Sequence, residues 1–372
     1  MNPPPDPLRL PELPAGSTVA VAMSGGVDSS VAAALCVAGG HRVFGVMLRL
    51  WAEPGAEAPN RCCTLGAIDD ARAVANALDI PFQVLDAASV FKREVVDAFT
   101  AAAAAGDTPN PCFTCNRRIR FAWLLEHARA LGADCLATGH YARVDVDPAG
   151  GHRLRRGVDA DKDQSYVLHR LSQAQLARAV FPLGVYTKPE VRALAAAFGL
   201  SVAARPDSVD LCWTGPDGVA GFLGRHLPAD ALRPGAIVDA DGRTLGRHHG
   251  LPRYTVGQRR GLGVAVGSPV YVVARDPVRN ALVVGPDAML GKRRVAVRDM
   301  HWLTGAPPAA PMRVAAQVRY RSPAAPALLL PGPGLTAEAV FDAPQRAPAP
   351  GQGLVAYVDD AVIGGGVIAA VA

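Results

Sequence analysis

From Thr18 to about residue 200, short apolar runs alternate with Ala-rich stretches of helical spacing, and this rhythm limits the possible folds more than any other feature. The apolar runs are Val19–Ala22, Val43–Leu48, Phe82–Leu85 and Cys135–Thr138. Helices are predicted near Ser29–Ala38, Ile68–Leu78, Phe91–Ala105, Arg118–Leu131 and Lys188–Phe198. Strands that alternate with helices are joined by crossovers, so they pair in parallel and are covered on both faces. The expected fold is α/β and Rossmann-like, with ligands in the crevice beyond the carboxyl ends of the strands. Past about residue 210 Gly and Pro become frequent, and β-type runs appear at Pro269–Ala274, Ala281–Val284, Arg313–Val318, Gly353–Val358 and Ala361–Ile368. Small β domains are expected there, with Pro307–Pro311 and Ser322–Pro333 as loops.

A chain of 372 residues has room for two or three domains. No apolar run is long and charge-free enough to span a bilayer. Met1–Gly16 is Pro-rich and lacks the basic start and apolar stretch of a signal peptide, so it is expected to be a disordered leader of a cytoplasmic protein with no membrane partner. Seven cysteines, an odd number without a signal, argue for reactive or metal-bound thiols rather than a disulfide framework. A net charge of +5 suits a nucleic-acid partner without requiring one.

The first apolar run continues into Ala22-Met23-Ser24-Gly25-Gly26-Val27-Asp28-Ser29-Ser30 and then a helix. Two glycines admit an anion close to the backbone, the first amides of the helix point toward it, and the serines add hydroxyls. This is a phosphate cradle, but no Gly-Lys-Ser/Thr follows and no Gly-x-Gly-x-x-Gly is present. A second signal is Thr108-Pro109-Asn110-Pro111-Cys112-Phe113-Thr114-Cys115-Asn116. Its Cys-x-x-Cys pair suits zinc, dithiol–disulfide cycling or an iron–sulfur cluster. Arg117, Arg118 and Arg120, and a helix expected to start after Asn116, are placed to favour thiolate or to bind phosphate. Cys36 and Cys135 fall in apolar patterns and read as core residues, whereas Cys62 and Cys63 receive no role.

Ser24-Gly-Gly-Val-Asp-Ser-Ser30 resembles the PP-loop of the ATP pyrophosphatase superfamily, whose members adenylate a substrate with release of pyrophosphate. Together with the cysteine motif, Ala137-Thr-Gly-His-Tyr-Ala142, Lys162-Asp-Gln-Ser-Tyr166, His249-Gly-Leu251 and Tyr254-Thr-Val-Gly-Gln-Arg-Arg-Gly-Leu-Gly263, it resembles the tRNA-uridine 2-sulfurtransferases. The resemblance extends to Phe341-Asp342 and Gly364-Gly365-Gly366, nearly the whole chain. It implies a PP-loop catalytic domain over 17–208, a central β-rich tRNA-binding domain over 209–280 and a C-terminal β-barrel over 281–372. It further implies that ATP, with Mg2+, adenylates the C2 oxygen of the wobble uridine and that sulfur then displaces AMP. Cys115 matches the family nucleophile and Cys212, in Leu211-Cys-Trp-Thr-Gly215, the persulfide carrier, the two joining as a disulfide when sulfur leaves. A cysteine desulfurase or relay protein would supply the sulfur.

One position departs from the family. Many members have Asp after Asn-Pro, where this chain has Cys112. Cys112, Cys115 and Cys212 could then ligate three irons of a [4Fe-4S] cluster and leave the fourth open for an extra sulfide, as an alternative to persulfide chemistry. A structural zinc is a third use of the trio.

By the same resemblance ATP contacts Ala22, Met23, Ser24, Gly25, Gly26, Val27, Asp28, Ser29, Leu48 and Gly139. Asn110, Pro111 and Cys112 border the uridine, and Lys162, Asp163, Gln164, Arg319 and Tyr320 contact tRNA. Basic clusters at Arg153–Arg156, Arg243–His249, Arg253–Arg260 and Lys292–Arg294 add weaker support for RNA. The competing functions are another adenylating enzyme, either a tRNA cytidine thiolase or an amide-forming ligase, and a non-catalytic RNA-binding protein with a structural zinc.

Overall fold

The computed structural model describes residues 13–14, 16–53, 65–206, 211–215 and 217–372. The expected leader lies almost wholly outside the described residues, as do Cys62 and Cys63. The chain divides into two compact units: 1–95 with 112–216 and 360–362, and 96–111 with 217–359 and 363–372.

The first unit holds β1 (Thr18–Ala22), β2 (Arg42–Arg49), β3 (Phe82–Asp86), β4 (Cys135–Thr138), β5 (Ala142–Val146), β6 (His152–Arg156) and β7 (Ala179–Val180). Five of these form the expected parallel sheet, in the order β3-β2-β1-β4-β7. Val19, Ala20 and Val21 are completely buried, because helices cover both faces, and β1 is therefore apolar without alternation. Helix Val27–Ala38 packs a run of small residues, Ala32, Ala33 and Ala34, into the same core as Val191 and Leu194 of helix Lys188–Ala197. From β1 the chain builds outward through β2 and β3, then returns to place β4 on the other side of β1. That reversal makes the carboxyl ends of β1 and β4 the topological switch point, where ligands bind in such sheets.

Two predicted helices are compound. The one expected near Phe91–Ala105 is α-helical at Ala88–Phe91 and Ala98–Ala104, with a π-helical stretch, Lys92–Asp97, between them. The one expected to begin after Asn116 begins at Pro111 and runs as Pro111–Thr114, a π-helical Cys115–Leu124 and Leu125–Ala130. Proline suits a first helical position because its φ is already helical and its missing N–H would have no intrahelical partner. Cys112 and Cys115 thus lie inside the helix, not in a loop before it.

The second unit contains a four-stranded sheet of β8 (Gly235–Val238), β9 (Thr244–His248), β10 (Tyr271–Asp276) and β11 (Ala281–Gly285), built around Ile237, Val272, Leu282 and Val284. It also contains β12 (Gly291–Trp302), β13 (Met312–Gln317), β14 (Ala325–Pro331), β15 (Ala337–Arg346), β16 (Gly353–Val358) and most of β17 (Ala361–Val371). These six follow the order β12-β15-β14-β13-β16-β17, and pairing of β12 with β17 closes them into a barrel without open edges. Ser322–Pro333, expected as a loop, contains β14. Its Pro326 and Pro331 obscure an alternation that buries Ala327 and Leu329 completely in the barrel. Among the described residues no helix is long and apolar enough to cross a membrane.

Candidate active site

β1 ends at the glycine turn, and Gly26 is the N-cap of helix Val27–Ala38, so no capping side chain covers the first amides. The serines shape this turn. The Ser24 amide donates to Ser29 Oγ at 3.1 Å, while the Ser29 and Ser30 hydroxyls donate back to the Gly26 carbonyl at 3.2 and 2.8 Å. Gly25 has a φ of +72°, and a Cβ there would run into the Ala67 carbonyl oxygen. Gly139, just after β4, packs so closely on the helix start that a Cβ would lie 2.8 Å from both the Asp28 carbonyl carbon and the Ser29 nitrogen. The residues expected around ATP from Ala22 to Ser29, with Gly139, therefore meet at the switch point. Leu48 lies near the end of β2, in register with Leu85.

Asp28 is held by two donors. Its Oδ1 accepts from the Tyr141 hydroxyl at 2.8 Å and from Lys188 Nζ at 2.6 Å. Lys188 is only 7% exposed, and an ammonium this buried needs such a partner. Arg205 donates to the Gly25 carbonyl at 2.9 Å and pairs with Asp70. Sequence patterns do not single out Lys188, because Thr187-Lys188-Pro189-Glu190 reads only as a helix start. It is that too, with Glu190 accepting from the Thr187 amide at 2.6 Å.

The residues expected to contact tRNA have structural work of their own. The Asp163 carboxylate accepts from the Gly157 and Ser165 amides, both at 3.0 Å, from the Ser165 hydroxyl at 2.8 Å and from Arg156 at 3.1 Å. Its side chain is 5% exposed and closes a loop over residues 157–165. Gln164 clasps the Tyr141 backbone, donating its amide to the carbonyl at 2.9 Å and accepting the Tyr141 amide on Oε1 at 3.0 Å. Asp159, in the same loop, accepts the Asp161 and Lys162 amides on Oδ1 and the Lys188 amide on Oδ2 at 2.8 Å. In the second unit Arg319 donates to the Val256 and Ala347 carbonyls at 3.1 and 2.9 Å, and the Arg321 guanidinium lies 5.4 Å from the centre of the Tyr320 ring.

The cysteine helix is fixed by its polar and aromatic neighbours. Asn116 Nδ2 donates to the Val167 carbonyl at 3.2 Å, Gln175 reaches the Arg117 carbonyl at 2.9 Å, and Phe113 packs edge-on against His169 with ring centres 4.8 Å apart. Cys115 is buried at 9% exposure. Burial, reinforced by the neighbouring Cys115, pushes the Cys112 thiol up to about 11, and the Arg120 charge only partly opposes this. Among the three arginines expected to favour thiolate, Arg120 lowers the Cys112 thiol, and desolvation outweighs it. His140, beside Phe121 of the cysteine helix, is driven down to about 3 by burial and by Arg120, so its ring is neutral at ordinary pH. Cys212 is half-buried beside Trp213, which packs edge-on against Phe91 at 6.4 Å.

Cys112, Cys115 and Cys212 all belong to the first unit. Among the described residues, however, no three His, Cys, Asp or Glu side chains are grouped to hold a metal. The three cysteines therefore do not fit a three-thiolate iron–sulfur cluster or a zinc site as they stand.

A family model described as the tRNA methyl transferase HUP domain matches residues 17–216. Models described as the tRNA methyl transferase PRC-barrel domain and the Aminomethyltransferase beta-barrel domain match 220–286 and 292–368. The chain is 50% identical to the tRNA-specific 2-thiouridylase MnmA of Moorella thermoacetica, over 95% of this chain and 99% of that one. It is 49% identical to the protein of the same name from Heliobacterium modesticaldum, over 94% of this chain and 92% of the relative. Among solved structures, the U34-tRNA thiolase NcsA from Methanococcus maripaludis with its [4Fe-4S] cluster aligns with a TM-score of 0.34 at 20% identity, over 56% of this chain and 65% of that one. With more than half of its length matched by the first family model and half of its residues shared with relatives of full length, the chain belongs to the family of tRNA-specific 2-thiouridylases.

Proposed function

We propose that this protein replaces the C2 oxygen of the wobble uridine of tRNA with sulfur at the expense of ATP. The observation that carries the reading is the presence, in one unit, of a glycine-closed anion cradle at the β1/β4 switch point and of Cys115 on a helix held by its own side chains. A uridine carbonyl has no leaving group, and adenylation supplies one. The amides of the cradle would hold ATP while uridine O2 attacks the α-phosphorus and pyrophosphate departs. Mg2+ would travel with the triphosphate, whose oxygens provide most of its ligands.

A persulfide on Cys212 then attacks C2 through its terminal sulfur, and AMP leaves with the former uridine oxygen. The Cys115 thiolate attacks the Cys212 sulfur of the resulting RNA–S–S–Cys212 adduct. That step frees 2-thiouridine and oxidises the cysteine pair to a disulfide, which an external thiol must reduce before the next turnover. The misfit of the three cysteines to a cluster favours this route, and no step is assigned to iron. Asn110, Pro111 and Cys112 border the uridine, and Lys162, Gln164 and Tyr320 meet the tRNA. Asp163 and Arg319 act by shaping the surfaces around them. The sulfur donor is a cysteine desulfurase or a relay protein, and the compartment is the cytoplasm.

The test is thiolation of an unmodified tRNA transcript with ATP, cysteine and a cysteine desulfurase, read as 2-thiouridine by mass spectrometry. Cys115→Ala and Cys212→Ala are each expected to abolish the product. Full activity in either would remove the assignment.

A further inference from the structure

We propose that Asp159 is a positioning residue that links the loop Gly157–Ser165 to the ATP site, so that adenylation depends on tRNA occupying that loop; this rests on the function proposed above. Two donors meet on Asp28 Oδ1, the Tyr141 hydroxyl at 2.8 Å and the Lys188 ammonium at 2.6 Å. The same loop holds both of them. Gln164 fixes the Tyr141 backbone through two hydrogen bonds, and Asp159 Oδ2 fixes the Lys188 backbone through a third at 2.8 Å. The other Asp159 oxygen accepts the Asp161 and Lys162 amides, so the carboxylate is shared between the turn and the helix start.

The charges give this linkage its consequence. Asp28 stands in the first turn of the helix that forms the phosphate cradle, and an unneutralised carboxylate there would repel a triphosphate. Lys188 neutralises it, and Lys188 is buried, so the ammonium can reach only where its backbone aims it. The loop that aims it carries Lys162 and Gln164, two residues proposed to meet the RNA. RNA binding that shifts this loop thereby changes the grip of Tyr141 and Lys188 on Asp28.

Asp159→Asn separates the turn from the link. The remaining oxygen can accept the Asp161 and Lys162 amides, but an NH2 group faces the Lys188 N–H. The measurement is pyrophosphate release by the full-length protein with ATP and increasing unmodified tRNA transcript. It is accompanied by filter binding of the tRNA and by urea denaturation. At saturating tRNA, kcat is expected to fall at least about 10-fold in Asp159→Asn, with tRNA affinity changed less than about 3-fold and the urea midpoint unchanged. Tyr141→Phe, which deletes only the hydroxyl on Asp28, is expected to lower kcat in the same way and supplies the test if the first variant does not fold. Wild-type kcat in the folded variants, or a defect that saturating tRNA fully repairs, overturns the proposal. Absence of tRNA-dependent pyrophosphate release from the wild type would instead remove the function itself, and the coupling with it.

Discussion

Desolvation raises the Cys112 thiol even though the residue is only half-buried. With that thiol pushed up to about 11, Cys112 carries roughly a hundredth of the thiolate of an ordinary cysteine at pH 8. Alkylation of Cys112 by iodoacetamide should accordingly be about 100-fold slower in the folded protein than in urea, measured peptide by peptide; a rate within 10-fold of the unfolded chain would contradict it. His140 offers a second test, through stability. Its ring, with Nδ1 2.7 Å from Thr138 Oγ1 and Phe121 and Phe181 beside it, takes up a proton only near pH 3, whereas the unfolded chain does so near 6.5. Between those values the unfolded state binds more protons. The stability this residue contributes is therefore complete above 6.5 and is lost as pH falls toward 3. By pH 5 the loss is about 2 kcal/mol. His140→Gln should flatten the fall in urea midpoint between pH 7 and 5, and an unchanged slope would place the acid sensitivity elsewhere. The sequence makes the cysteines and the glycine turn visible as residue types. It does not reveal that desolvation raises the Cys112 thiol or that Lys188 reaches Asp28, since both follow from packing between distant segments.

Strands covered on both faces announce themselves as continuous apolar runs, which is why β1 and β4 are legible in the sequence, whereas the edge strand β3, with no buried residue, shows only through Phe82, Val84 and Leu85. Other elements are hidden by composition. The prolines of β14 imitate a loop, and the basic cluster Arg153–Arg156 proves to be β6, a strand whose Arg153 and Arg155 pair with Asp145 of β5. Asp360 pairs with Arg155 as well, so part of that positive charge is answered within the protein. The start of the cysteine helix is hidden for another reason: from Pro111 to Thr114 there is too little apolar periodicity to mark a turn of helix, and π-helical stretches such as Cys115–Leu124 have no sequence signature of their own. Gly139 tests the close approach of β4 to the first helix. A methyl at Gly139 must displace the backbone of Asp28 and Ser29, which costs about 1–3 kcal/mol in a well-packed site. Gly139→Ala is expected to weaken ATP binding by at least about 10-fold in calorimetry. Wild-type affinity would mean that the cradle does not depend on this contact.

On the scale of the molecule, the alternation of strands and helices followed by Gly- and Pro-rich β segments foretells a parallel α/β sheet and then small β domains, while a barrel is expected only from the family resemblance. The closure of the barrel by β12 and β17, which are far apart in sequence, is not legible there, because it depends on long-range pairing. Net charge is no better a guide, since a formal +5 fits many proteins and several of the basic side chains are already engaged by carboxylates or carbonyls. The central claim is that ATP activates the uridine oxygen so that a cysteine-borne sulfur can replace it. That oxygen can be followed directly: tRNA carrying 18O at C2 of the wobble uridine is thiolated, and the AMP formed is weighed by mass spectrometry. One 18O in the AMP phosphate for each 2-thiouridine is the predicted result, whereas 2-thiouridine formed alongside unlabelled AMP would contradict it.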